Sequence, residues 1–379
     1  MIPARSGAAA RSLSRRHFLL GLGAAGLAAC SDAGSAREFD LGGDQQLTML
    51  TWSEYIDPTD GSTLGTVDRV SQDLNIAIDY LEGYDNNYSG FGLIEDNVSQ
   101  SSSSYDIVVP TNWRAAQMIN QGWAAPLPIE VIPNHVNLDP LYMTNSWDRG
   151  SRFQLPWQAG ITGIAYDPAL TGREVNSIDD LFDPEFAGRI GIIDEMREAV
   201  GLAMLANGDD PSRPTVTATE NGLLRIEQAL ADGQGKVVSA DFSDQLRSGE
   251  LVATMAWSGD VALLRNERPD IEFVIPEQGA IQWFDTMVIP QHAANARAAG
   301  RFMNYVYDPV NAARITAWVG YISPVMGVQD VLADGGDLAL AEDAVLFPDD
   351  ATRSRLFTWG GLDPADESRI DNAFQKLVG

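Results

Sequence analysis

Three runs decide the fold: Leu47-Thr48-Met49-Leu50-Thr51-Trp52, Ile76-Ala77-Ile78-Asp79-Tyr80-Leu81 and Tyr105-Asp106-Ile107-Val108-Val109-Pro110. Each is a short apolar or alternating segment of strand length. The stretches around Leu64–Leu74 and Phe91–Ser99 lie between them and read as helices. The order β-α-β-α-β predicts an α/β fold with a mostly parallel sheet and right-handed crossovers. A second unit begins after Phe153-Gln154-Leu155-Pro156-Trp157 and contains the segment Ile161–Tyr166, a helix near Ile178–Leu181 and a strand at Arg189–Ile193. An Ala-rich helix from Glu198 to Asn207, a helix from Glu220 to Ala231, and strands at Val237–Ser239 and Leu251–Trp257 complete it.

Upstream of the fold, Ser14-Arg15-Arg16-His17-Phe18-Leu19-Leu20 begins an apolar run that ends at Leu27-Ala28-Ala29-Cys30. Twin arginines before a short apolar stretch without acids read as a cleaved export leader, and Phe18–Ala29 is too short to span a hydrocarbon core of about 30 Å. Leu, two small residues and Cys resemble a bacterial lipobox, which makes Cys30 the expected lipidation site. Cys30 is also the only cysteine, so no intramolecular disulfide can form. Acyl chains hold a domain at a membrane surface by about 0.8 kcal/mol per buried CH₂. Gly21-Leu22-Gly23-Ala24-Ala25-Gly26 matches a dinucleotide-binding glycine pattern in form only, because it lies inside the leader and not between a strand and a helix. Residues 31–46 read as a flexible tether.

Removing the 29 leader residues from 379 leaves 350, a length that suits two lobes with a cleft between them. The leader holds four arginines (Arg5, Arg11, Arg15 and Arg16), so 21 basic residues face 53 acidic ones in the mature chain, a formal charge of −32. Such a surface repels nucleic acid and anionic headgroups. Lys236 and Lys376 are the only lysines, and this bias toward Arg and Asp also fits genome composition or a salty habitat. The charge alone therefore does not identify a cationic ligand.

Catalytic residue types are scarce. The mature chain has only His135 and His292 and no cysteine besides Cys30, which excludes a His/Cys metal cluster and a Cys-His dyad. No serine sits in a nucleophile elbow and neither lysine belongs to a phosphate-binding loop. No cofactor or metal is expected. Paired carboxylates keep a carbohydrate-active enzyme open as an alternative.

Aromatic and acidic residues gather where strands end. Trp52, Ser53, Glu54 and Tyr55 follow the first strand, Thr111 and Trp113 the third, and Trp257 and Asp260 close Leu251–Trp257. Ligands of open α/β sheets bind outside the carboxyl ends of strands, so these positions can meet in one crevice. Glu195 and Glu198 stand at the start of the Ala-rich helix, where they can serve either the helix dipole or a ligand.

The chain resembles the spermidine/putrescine-binding receptors of bacterial ABC importers, of the type II periplasmic-binding-protein class. The resemblance rests on Leu50-Thr51-Trp52-Ser53-Glu54-Tyr55-Ile56, Tyr105 to Thr111, and Leu155-Pro156-Trp157 with Gly160. Asp180 to Phe186 with Gly188, Ile193-Asp194-Glu195-Met196-Arg197-Glu198 and Met255-Ala256-Trp257-Ser258-Gly259 extend it, as do Trp283-Phe284-Asp285 and Gly320-Tyr321-Ile322-Ser323-Pro324. It implies two α/β lobes, one from residues 47–153 plus 283–330 and one from 154–282 plus 331–379. The chain would cross between them near Gln154, Gln282 and Asp330.

It further implies polyamine contacts at Trp52, Ser53, Glu54, Tyr55, Thr111, Trp113, Glu195, Glu198, Trp257, Trp283, Asp285 and Tyr321. The chemistry agrees: carboxylates and hydroxyls suit ammonium donors, and aromatic faces suit methylenes and cations. Trp113 stands where the family usually has tyrosine, and Gly360 where a glutamine-like contact is usual. The implied protein is a monomer that captures a polyamine outside the membrane, held there through its lipid alone, and passes it to ABC permease subunits. A receptor of the same fold for another small solute is the nearest alternative. Replacing Arg15 and Arg16 together with lysine is expected to stop export, read as loss of the protein from the extracytoplasmic fraction; undiminished export would show that the twin arginines are not the signal.

Overall fold

The computed structural model describes residues 45–84, 86–98 and 103–379; the expected leader, Cys30 and the tether up to residue 44 lie outside the described residues. Among the described residues ten strands form one sheet: β1 (Gln46–Trp52), β2 (Ala77–Tyr84), β3 (Ile107–Val108), β4 (Gln154–Tyr166), β5 (Ile190–Ile193), β6 (Gly235–Val238), β7 (Ala253–Trp257), β8 (Glu272–Val274), β9 (Ala280–Val288) and β10 (Leu356–Phe357). Their order is β2-β1-β3-β9-β4-β7-β5-β6, with β8 on β4 and β10 on β9.

The expected parallel sheet is found within each lobe. β1 pairs in parallel with β2 and β3, and β5 pairs in parallel with β6 and β7. Between the lobes the polarity reverses: β4 runs antiparallel to both β9 and β7. Every residue of β4 is buried, since helices and loops cover both its faces. Two cores result. Leu47, Met49, Ile107, Phe302 and Tyr307 belong to the first, which Leu155, Trp157 and Met287 join from the crossing strands. Ile192, Met196, Val200, Phe242 and Met255 belong to the second, joined by Ile164, Tyr166 and Ile281. Trp257 packs against both.

Gln154 begins β4 and Gln282 lies in β9, the two strands whose residues pack in both cores. Leu332 of helix Val328–Gly335 and Ala341 pack in the first core, and the chain reaches the second only near β10 and helix Pro364–Val378, whose Ile370 and Phe374 are fully buried there. The apolar face of Val328–Gly335 is satisfied by either core, so its sequence does not say which lobe receives it. Among the described residues no helix is long and apolar enough to cross a membrane.

Local signals place the elements that matter for the cleft. Asp308 caps helix Pro309–Val319 by accepting from the amides of Val310 (2.9 Å) and Asn311 (3.4 Å), and Gly320 ends it in the left-handed region at φ 70°. That stop fixes the position of Tyr321. The entry of β4 is tied by Asp148, 3% exposed, which accepts from the amides of Arg152 (3.0 Å), Phe153 (3.0 Å) and Gln154 (3.2 Å). Removing an acceptor that serves three amides leaves buried donors unpaired, so Asp148→Ala is expected to destabilise the fold by about 2–4 kcal/mol in urea unfolding; a loss below about 0.5 kcal/mol would contradict this anchoring role.

Candidate functional site

The segment after β1 turns sharply. Glu54 adopts a left-handed conformation (φ 57°), stays exposed, and donates its amide to Glu82 Oε1 at 2.9 Å. The turn leaves Ser53 half-buried and drives Tyr55 inward, where it is 4% exposed and its hydroxyl donates to Asp285 Oδ2 at 2.7 Å. Trp52 lies to the side, its indole donating to the carbonyl of Val109 at 2.9 Å and packed edge-on against Tyr84.

Asp285 sits on β9 opposite Gln158 of β4, with Thr111 bridged to it from the end of the third strand. Its Oδ2 meets Tyr55, while its buried Oδ1 has no partner among the described residues. Burial pushes this carboxyl up from an ordinary 3.8 to about 7, although hydrogen bonds from Tyr55 and Thr111 pull the other way.

Two acids come from the start of helix Met196–Ala206. Glu198, 6% exposed, accepts from the hydroxyl of Thr162 and from the indole of Trp257 at 2.7 Å. Burial raises its pKa, and the charge of Glu195 raises it further. Glu195 occupies the cap position of this helix but makes no side-chain cap. Its carboxylate instead accepts from the amide (3.0 Å) and side chain (3.1 Å) of Asn87, across from the other lobe. Burial raises its pKa also.

Aromatic rings complete the enclosure. Trp283 donates to Thr162 Oγ1 at 2.9 Å, and its ring lies so close over Gly160 that a Cβ there would come within 2.4 Å. Tyr321 donates to Asp260 Oδ2 at 2.5 Å and packs edge-on against Tyr55 (5.6 Å) and Trp283 (5.5 Å).

Tyr55, Thr111, Glu198, Trp257, Trp283, Asp285 and Tyr321 are therefore linked by direct contacts or through Thr162. Glu54 points outward, and Glu195 is engaged by Asn87. The ring of Trp113, expected as a wall for methylenes, instead carries the guanidinium of Arg197 at 3.3 Å from its centroid, a contact that needs both lobes together. One pocket is lined by Thr111, Glu198 and Trp283 together with Trp113, Arg197 and Trp359. Gly360 brings no side chain: its amide donates to the carbonyl of Pro211, and Ser212 lies directly against it. Thr162, Asn87 and Arg197 were not among the expected contacts. Strand alternation along β4 could have pointed to Thr162, whereas Asn87 and Arg197 make contacts with residues far away in sequence, which no local pattern announces.

Residues 94–343 match the family model described as bacterial extracellular solute-binding protein. The spermidine/putrescine-binding periplasmic protein 1 of Haemophilus influenzae is 25% identical over 332 residues, covering 86% of this chain and 88% of its own. The spermidine/putrescine-binding periplasmic protein of Escherichia coli is 26% identical over 337 residues, covering 87% and 91%. Among solved structures, a Listeria monocytogenes protein described as a spermidine/putrescine ABC transporter superposes with a TM-score of 0.77 at 26% identity, over 88% of this chain and 98% of that one.

The raised carboxyl of Asp285 has a consequence for stability. Between its ordinary 3.8 and about 7 the folded state holds a proton that the unfolded chain has released, so stability falls as pH rises through that window. Glu195 and Glu198 act in the same direction. Thermal melting of the unliganded protein is expected at lower temperature at about pH 8 than at about pH 5, with a shallower fall in Asp285→Asn; an identical slope in that variant would contradict the assignment.

Proposed function

The chain belongs to the bacterial extracellular solute-binding protein family, and on that footing we propose that it captures a polyamine of the putrescine/spermidine class between its lobes. It hands this ligand to an ABC importer without covalent chemistry. The observation that carries the reading is a set of buried carboxylates met by neutral donors. Asp285 is held by Tyr55, and Glu198 by Thr162 and Trp257. Buried charges are stable when paired, and a dry site with unpaired acids selects a cation. An ammonium supplies up to three donors and no acceptor, which suits the open Oδ1 of Asp285. The rings of Trp257, Trp283, Tyr55 and Tyr321 suit methylenes and add cation–π attraction of about 0.5–2 kcal/mol each. The names of the relatives point to the same ligand class.

Ser53, Thr111 and Trp52 line the approach, and Glu54 meets the ligand at the rim or orients its neighbours. Glu195 and Trp113 act through lobe closure more than through direct contact. The protein works as a monomer outside the cytoplasm, tethered through lipid on Cys30 so that it stays close to its membrane partner.

Calorimetric titration with putrescine and spermidine is expected to give saturable heat and a raised melting temperature, and Asp285→Asn is expected to lose about 2–5 kcal/mol of that binding. Absence of heat and of thermal shift with every polyamine would overturn the ligand assignment. Unchanged affinity in the variant would overturn the role of Asp285.

A further inference from the structure

Strand alternation breaks in β4 next to the residue opposite Asp285. The register on β9 shifts between Pro156 and Gln158, which makes Trp157 an extra residue in the ladder. Consecutive strand residues ordinarily face opposite sides of a sheet. Here Trp157 and Gln158 line one cavity of about 10 Å³, about the least room that admits a single water. Thr316 of helix Pro309–Val319 lines it too.

Three polar atoms of this lining have no partner among the described residues: Trp157 Nε1, Gln158 Nε2 and Thr316 Oγ1. Their residues are 4%, 2% and 1% exposed, so bulk solvent does not serve them. The other polar groups of the lining are engaged elsewhere. Tyr307 donates its hydroxyl to the carbonyl of Pro156 at 2.8 Å, and Ser323 Oγ accepts from the amide of Val325 at 3.2 Å. A buried donor or acceptor left unpaired bears the whole desolvation of that group, and folded proteins meet such atoms with protein or ordered water. Two N–H donors in the lining turn away a cation. A water accepts twice, which suits the indole of Trp157 and the amide of Gln158, and it donates to Thr316 Oγ1.

We propose that this cavity is a binding site for one ordered water, which joins β4 to helix Pro309–Val319. Its place gives it a role at the cleft. Ala159 follows Gln158 and exchanges backbone hydrogen bonds, 2.9 Å each way, with Ile322, which follows Tyr321. Gln158 itself stands opposite Asp285 on β9. The water therefore braces the stretch of β4 that holds both neighbours of the cleft, Asp285 and the segment of Tyr321. It belongs to the fold whichever solute the cleft takes.

A crystal structure at a resolution that shows ordered solvent is expected to place a water within hydrogen-bond distance of Trp157 Nε1, Gln158 Nε2 and Thr316 Oγ1. A dry cavity, or the three side chains bonded to protein groups instead, overturns the proposal whether or not any variant folds. Thr316→Val keeps the shape of the side chain and removes the acceptor, so the sign of its effect discriminates. Loss of a hydroxyl that holds water is expected to lower the melting temperature by about 2 °C or more. A hydroxyl buried without a partner is better replaced by a methyl group, and an unchanged or raised melting temperature would therefore count against the site. Gln158→Leu is expected to lower the melting temperature as well. Because both variants disturb the same water, their falls are expected to sum to more than the double variant shows, and strictly additive falls would rule out a shared water.

Discussion

β4 and β9 lie antiparallel from Gln154 opposite Val288 to Thr162 opposite Ile281, and each strand contributes to both cores. Because the two strands are the long continuous elements shared by the lobes, they set where the lobes can meet. They also carry the chemistry of the meeting place: Thr162 on β4, and Trp283 and Asp285 on β9. A side-chain period of two along each strand puts Trp283 and Asp285 on one face. The residues that arrive from elsewhere, Tyr55, Glu198, Trp257 and Tyr321, are placed by strand ends and helix ends against that shared ladder. The site is therefore as rigid as the joint between the lobes.

Electrostatics then sorts these residues. An acid such as Glu195 is satisfied by an amide and a carboxamide of Asn87. Glu198 and Asp285 receive hydroxyl and indole donors, which orient a carboxylate without neutralising it. Both groups are buried, and desolvation is what raises their proton affinity. The bulk charge of the chain explains none of this, since most of the acids lie on the surface and are screened.

Much of the fold was legible in the residues. The runs at Leu47–Trp52 and Ile76–Leu81 have strand periodicity and occur nearly where expected, as do the helices that separate them. The run Tyr105–Pro110 forms a strand only at Ile107–Val108, although Asp106 and Val109 also donate their amides to the carbonyls of Thr48 and Leu50. β4 extends from Gln154 through Pro156 and Gly160, residues with poor strand preference, since burial on both faces outweighs propensity there. The strand-end rule collected Tyr55, Thr111 and Trp257 at one crevice. It could not foresee that Glu54 would turn outward, which depends on one left-handed residue, or that Arg197 would cover Trp113, which depends on a contact between lobes.

The closed arrangement is a balance between those two kinds of contact. Asn87 to Glu195 and Tyr88 to Asp371 join the lobes by hydrogen bonds, each contributing about 0.5–3 kcal/mol net. Closure also takes Glu198 and Asp285 out of water, and without a countercharge it must protonate them or bear the desolvation of two carboxylates. On the proposed reading, a cation between the lobes would remove that penalty where acids from both lobes face it. Such a ligand would bind the arrangement with both lobes in contact more tightly than one with them apart, the condition under which binding shifts a population. On this account the acids that make the empty cleft unfavourable are the same ones that make the filled cleft close.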